Sequence, residues 1–197
     1  MKHAALGFRV HSGWTSLVAV ALEGKAPLVL ARQRPHLVET FSYTFRQPYH
    51  TAEKMPLEDA RAFIARVRAE ARRLALRAIR DAEANVKQQG YKLNRSALLL
   101  AAGRELPELE KILASHAMIH TADGELFREA LLHASGECKL KVMRVKEREL
   151  LARASSCLKA KENELTRRVT ELGKALGPPW SQDEKLAALA AWVSLVE

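Results

Sequence analysis

A three-layer α/β fold is predicted, built on a mixed five-stranded sheet of three antiparallel N-terminal strands and two later parallel strands, with further helices at the C-terminus. Three observations predict it. The first fifty or so residues are patterned for strands, and a long Arg-rich helical repeat follows them. Two short apolar runs then alternate with helical segments, which is how strands enter a sheet through crossover helices.

Residues 6–10 and 16–22 are rich in β-branched and apolar side chains, with His11-Ser12-Gly13-Trp14 as a turn or bulge between them. Gly24 lies in a second turn. Residues 28–32 read as strand, and residues 35–45 are expected to give the third of a meander of about three antiparallel strands, because Leu37, Glu39, Phe41, Tyr43 and Phe45 alternate. Residues 48–56 read as a loop. Ala60, Ile64, Val67, Ala71, Leu74 and Ala78 recur at three- and four-residue steps and predict a helix over residues 57–89, ended by Gly90. Residues 96–102 are apolar throughout, as a central parallel strand requires. Helices are expected over 106–116 and 123–134, a strand over 139–145 and one long helix over 146–176. Ser181 and Glu184 have the spacing of a capping box opening a last helix, rich in small residues, that must pack closely on something. These boundaries give one domain over residues 1–176 and a helical appendage over 177–197 packed on it.

The chain has 197 residues, 48% of them hydrophobic, enough for a sizeable core. Cys138 and Cys157 form no CxxC pair, so the expectation is reduced thiols in a cytoplasmic protein. No apolar run is long enough to cross a bilayer. With 32 Lys and Arg against 23 Asp and Glu the net charge is +9, which favours phosphate-bearing partners, nucleic acid first. A merely soluble basic surface is the plainer alternative.

The order of elements, with the opening run Leu6-Gly7-Phe8-Arg9-Val10-His11-Ser12-Gly13-Trp14, resembles the ribonuclease H-like fold and, within it, the Holliday-junction-resolvase branch. That branch holds two divalent metals with carboxylates from the first strand, the end of the fourth strand and the last helix. The metals clamp the attacking and leaving oxygens of a phosphodiester. Here Arg9 stands where the first-strand Asp belongs, and no acid precedes Glu23. Glu105 follows the fourth strand, and Glu147 and Glu149 open the last helix of the domain, so two of the three places could supply acids. The resemblance therefore implies a degenerate member with no metal site and no catalytic residues, and no motif asks for a cofactor.

Arg9, His11, Ser12, Gly13 and Arg104 are the candidate phosphate site, because a glycine turn exposes backbone N–H groups and strand ends converge in a crevice. A packed hairpin turn is the alternative. Arg66, Arg73, Arg77 and Arg80 line one flank of the long helix as a candidate nucleic-acid surface, although acids interrupt it. His116 and His120, four apart and followed by Asp123, Glu125 and Glu129, have zinc-ligand spacing on a helix but lack HExxH. A capped helix end with one buried histidine is the plainer reading. A triad of Ser12 with His11 or His120 lacks the GxSxG elbow. Leu151, Leu158, Leu165 and Leu172 recur every seven residues, which suits either packing on the sheet or a homodimer seam. The expected function is a non-catalytic module binding nucleic acid or another phosphorylated ligand. The alternatives are a metal-dependent or acyl hydrolase and a dimeric scaffold.

Overall fold

The computed structural model describes residues 2–101 and 105–197. Arg104 and the last residue of the run at 96–102 lie outside them. Strands β1 (Lys2–His11), β2 (Trp14–Glu23), β3 (Ala26–Gln33), β4 (Tyr91–Leu100) and β5 (Lys141–Lys146) form one sheet in the order β3-β2-β1-β4-β5. β1, β2 and β3 run antiparallel, whereas β4 and β5 run parallel to β1. This is the mixed sheet that the sequence predicts.

Pleating assigns alternate residues of each strand to opposite layers. Ala4, Leu6 and Phe8 of β1, with Leu17, Ala19 and Ala21 of β2, pack beneath α3 (Leu57–Gln88) and α5 (His116–Glu137). Ala5 of β1, Val18 and Val20 of β2, and Ala97 and Leu99 of β4 pack beneath α6 (Leu150–Leu158), α7 (Glu162–Leu172) and α8 (Gln182–Val196). The sheet is buried on both faces, so β1 and β2 read as continuous apolar runs. α3 buries Ala60, Ile64, Val67, Ala71 and Ala78, as its periodicity predicts, while Leu74 is half-buried.

α8, in the segment separated by sequence as an appendage, lies against β1, β2 and β4 and contributes Ala187 to Val193 to the second core. Its capping box forms: the Ser181 hydroxyl accepts from the Asp183 N–H, while the Glu184 carboxylate accepts from the Ser181 N–H. The close approach rests on Gly7, because a Cβ built there would lie 1.8 Å from the Ala187 carbonyl oxygen. The small residues of α8 bring its backbone down onto β1 at this point.

Several expectations are corrected. Residues 35–45 are not a strand. Adjacent Leu37 and Val38 are both buried, which ends the alternation, and after an isolated bridge between Trp14 and His36 the chain turns into the short helix α1 (Tyr43–Arg46). The expected loop at 48–56 holds α2 (Pro48–Ala52), with Pro48 in its first turn. The helix expected over 106–116 shrinks to α4 (Leu109–Leu113), and α5 begins at His116 rather than 123. The long helix expected over 146–176 begins as a 3₁₀ turn at Glu147–Glu149 and breaks at Lys159, which is left-handed at φ 49°. There the Ser155 hydroxyl donates to the Ala160 carbonyl at 2.7 Å. The break divides the seven-residue leucine repeat between α6 and α7, and Leu165 is wholly buried in the second core. No continuous dimer seam forms from Leu151, Leu158, Leu165 and Leu172.

Among the described residues no helix is long and apolar enough to cross a membrane.

Gly7→Ala is expected to lower stability by about 1–3 kcal/mol, read as a fall in melting temperature of about 2–4 °C per kcal/mol for a chain of this size. Gly136→Ala, where the added Cβ meets nothing within 4 Å, is the control and leaves the melting temperature unchanged or raises it.

Candidate functional site

The parity that puts Ala5 under α8 puts Arg9 and His11 on the same face, at the end of β1 where β4 and β5 also finish. Beyond β5, Glu147 follows directly. α8 runs back along β1, so that its first turn sets Asp183 over the same point. Three segments far apart in sequence therefore meet at one edge of the sheet.

Arg9 binds Glu147 in fork fashion, Nε to Oε2 and Nη2 to Oε1, each at 2.9 Å. Its Nη1 also donates to Asp183 Oδ1. His11 Nε2 lies 3.0 Å from the same Asp183 oxygen and 3.4 Å from Arg9 Nη1. The His11 ring stacks on Trp14 at 4.1 Å between centroids, and the Arg34 guanidinium covers the Trp14 ring at 3.5 Å. Arg9 and Asp183 are largely sheltered, their side chains 23% and 18% exposed, so their pair is screened less than a surface pair, whereas Glu147 is 40% exposed.

Each group holds its partner charged. Burial pushes the Asp183 carboxyl upward, but the hydrogen bonds from Arg9 and His11 and their charges outweigh it and set it below its ordinary value. Arg9 is raised, first by its bond to Glu147 and, against burial, by Asp183.

Ser12 and Gly13 form the tight turn between β1 and β2. Gly13 takes φ +80°, and its carbonyl accepts from the Leu37 N–H at 2.8 Å. The Ser12 carbonyl accepts from Arg46 Nε at 3.2 Å. Among the described residues no histidine is hydrogen-bonded to the Ser12 hydroxyl, so the serine triad is not assembled. Arg66, Arg73, Arg77 and Arg80 are exposed along α3. Arg73 pairs with Glu39, and Arg66 lies 5.5 Å over Phe63. Glu105 is exposed beside a different cleft, with Arg128 and His120. Glu149 lies near Lys146 and Arg148, at 3.7 and 3.6 Å.

The resemblance implies divalent metals at the end of β1, and the residues there do not fit them. Metal clamping requires carboxylates converging on a cation, yet the point between Glu147 and Asp183 is filled by a guanidinium. Sequence reasoning placed Arg9, and named Glu147, but missed Asp183. The signal was faint: an acid in the first turn of the capped last helix, whose position over β1 depends on Gly7.

On the opposite face, α2 and α5 bring His50, His116 and His120 together, and sequence reasoning missed His50 altogether. His50 Nδ1 lies 2.5 Å from Asp123 Oδ2, and the Tyr49 N–H donates to Asp123 Oδ1 at 2.7 Å. Burial raises the Asp123 carboxyl above its usual range, only partly offset by the bonds from His50 and the Tyr49 N–H.

The fold is ribonuclease H-like, with an Arg-centred cluster at the edge where strands β1, β4 and β5 end. Within that class the likeness runs to RuvC. The structure of T. thermophilus RuvC in complex with Holliday junction substrate matches with a TM-score of 0.54 and 11% identity, over 97% of this chain and 92% of that one. A second Thermus thermophilus RuvC structure matches with a TM-score of 0.52 and 13% identity, over 98% of this chain and 93% of that one. No protein-family model and no curated protein matches the sequence.

Asp183→Asn is expected to cost about 1–2 kcal/mol at pH 7 by weakening charge-assisted hydrogen bonds. The carboxyl's folded value is depressed, so its stabilisation is full above the unfolded value of about 3.9 and fades as pH falls through the folded one. Melting curves of the two proteins should therefore converge as pH falls from 7 towards 3. A gap that stays constant contradicts the ion pair.

Proposed function

We propose that this is a non-catalytic ribonuclease H-like module that binds nucleic acid through its phosphate backbone. The observation that carries the reading is the Arg9 guanidinium bonded to both Glu147 and Asp183. It places one positive charge where the resemblance puts metal ions, but offers no open coordination position for water or a phosphodiester oxygen. Hydrolysis by metal-bound water has no place to occur there.

Binding is supported by the distribution of cations and rings. The exposed arginines of α3 adjoin residues 34–46 through Glu39, whose N–H donates to Glu70 at 2.8 Å and whose carboxylate pairs with Arg73. In that stretch Arg34 covers Trp14, His36 stacks on Phe41 at 4.2 Å, and Arg46 lies 4.4 Å over the same Phe41 ring. Phe41 and Tyr43 are exposed. A band of cations with accessible rings suits a phosphate backbone and its neighbouring bases. Arg9 and His11 are committed to Asp183 and Glu147. In this reading phosphate contact near the turn falls instead to Arg34 and Arg46, beside Ser12 and Gly13. The net charge of +9 supplies long-range attraction.

The test is fluorescence anisotropy with labelled duplex and four-way-junction DNA across a salt series, with gel assays for cleavage in Mg²⁺ and Mn²⁺. The expected result is binding that weakens steeply with salt, without cleavage. Arg66→Glu with Arg77→Glu should weaken it at least tenfold and flatten the salt slope by about one for each phosphate no longer neutralised. Salt-insensitive binding, no binding to either DNA, or Mg²⁺-dependent cleavage would each overturn the reading.

A further inference from the structure

We propose that His50, His116 and His120 form a zinc site. Each offers a ring nitrogen, and those nitrogens lie within 4.8 Å of one another. The Nε2 atoms of His116 and His120 are 3.1 Å apart. Two nitrogens bound tetrahedrally to zinc at about 2.0–2.1 Å stand about 3.3 Å apart, so this pair is already at ligand spacing. The rings lie edge to face, with His50 at 5.5 Å from His116 and 4.4 Å from His120, rather than stacked flat. In that arrangement ring edges, which carry the nitrogens, can converge.

The support behind the third ligand is what separates this group from a chance gathering. Asp123 is 3% exposed and is held by the Tyr49 N–H through one oxygen. Its other oxygen lies 2.5 Å from His50 Nδ1, a contact that fixes the ring; with the proton on Nδ1, Nε2 is the nitrogen left for a metal. A buried carboxylate behind a histidine is the arrangement that orients zinc-binding imidazoles and raises their basicity. His116 and His120 stand one turn apart on α5, and Pro48 opens the helix that carries His50.

His116 and His120 are exposed, so three nitrogens leave a fourth position open to solvent. His120 also lines a cleft of about 510 Å³ with Glu105, Thr121, Glu125 and Arg128. Imidazoles alone favour zinc and similar transition ions over magnesium. The site is independent of the Arg9 cluster, which lies on the other face of the sheet and holds its own cation.

Calorimetric titration of ZnCl₂ into the full chain, free of any polyhistidine tag and stripped with chelator, tests the proposal. The expected result is one Zn²⁺ per chain with Kd of about 1 µM or tighter. His116→Ala and His120→Ala, both at exposed positions, should each weaken it at least tenfold while the circular dichroism stays unchanged. Asp123→Asn should weaken binding by about 10–100-fold without changing the stoichiometry. Co²⁺ should give the intense blue absorption of a four-coordinate site. Zinc binding weaker than 100 µM, a loss under tenfold in both histidine variants, or a pale octahedral Co²⁺ spectrum overturns the proposal.

Discussion

One salt-bridged knot, Arg9 with Glu147 and Asp183, ties together the three parts of the chain that must meet for this fold to close. β1 supplies the cation, the turn after β5 supplies one anion and the first turn of α8 supplies the other. Without a positive charge between them, two carboxylates brought over one edge of a sheet would repel and lose hydration together. The planar guanidinium meets Glu147 with two parallel bonds and still has a donor for Asp183, which a lysine could not do in the same geometry. The placement of α8 over β1, with Gly7 admitting the Ala187 carbonyl, and this charge pairing are two expressions of one close approach.

The same constraint underlies the proposed function. A ribonuclease H-like sheet brings strand ends and a helix start to one edge, which suits a cation site. Here the cation is covalently part of the chain. A guanidinium fills the point between the two carboxylates and offers no exchangeable coordination position there. In the proposed reading, nucleic acid is met instead by the arginines of α3 and the cation-and-ring surface of residues 34–46.

The sheet, the long α3, the capped last helix and the presence of Arg9 within β1 were legible in the sequence because each leaves a local mark: period, a capping pair, a single charge in an apolar run. What was not legible depends on tertiary geometry. Residues 35–45 alternate convincingly, yet Leu37 and Val38 are both drawn into the core, and the local pattern carries no sign of that. The break at Lys159 has no glycine to announce it; a lysine in the left-handed region is held by Ser155 and Ala160. Asp183 carries no local mark of its role, being an acid in the first turn of a capped helix. His50 sits in a segment that reads as loop, more than sixty residues before the histidines it joins, and only the packing of α2 on α5 brings them together.

The most direct measurement is thermal unfolding of the wild-type protein and Arg9→Asp, with and without Mg²⁺, an ion that takes oxygen ligands and leaves the histidine cluster silent. If a guanidinium does what metal would do, Arg9→Asp melts well below wild type in chelator and recovers much of the loss in millimolar Mg²⁺. Wild type shows no Mg²⁺ response. A Mg²⁺-dependent rise in the wild-type melting temperature that disappears in Asp183→Asn, or an Arg9→Asp protein indifferent to Mg²⁺, would contradict it.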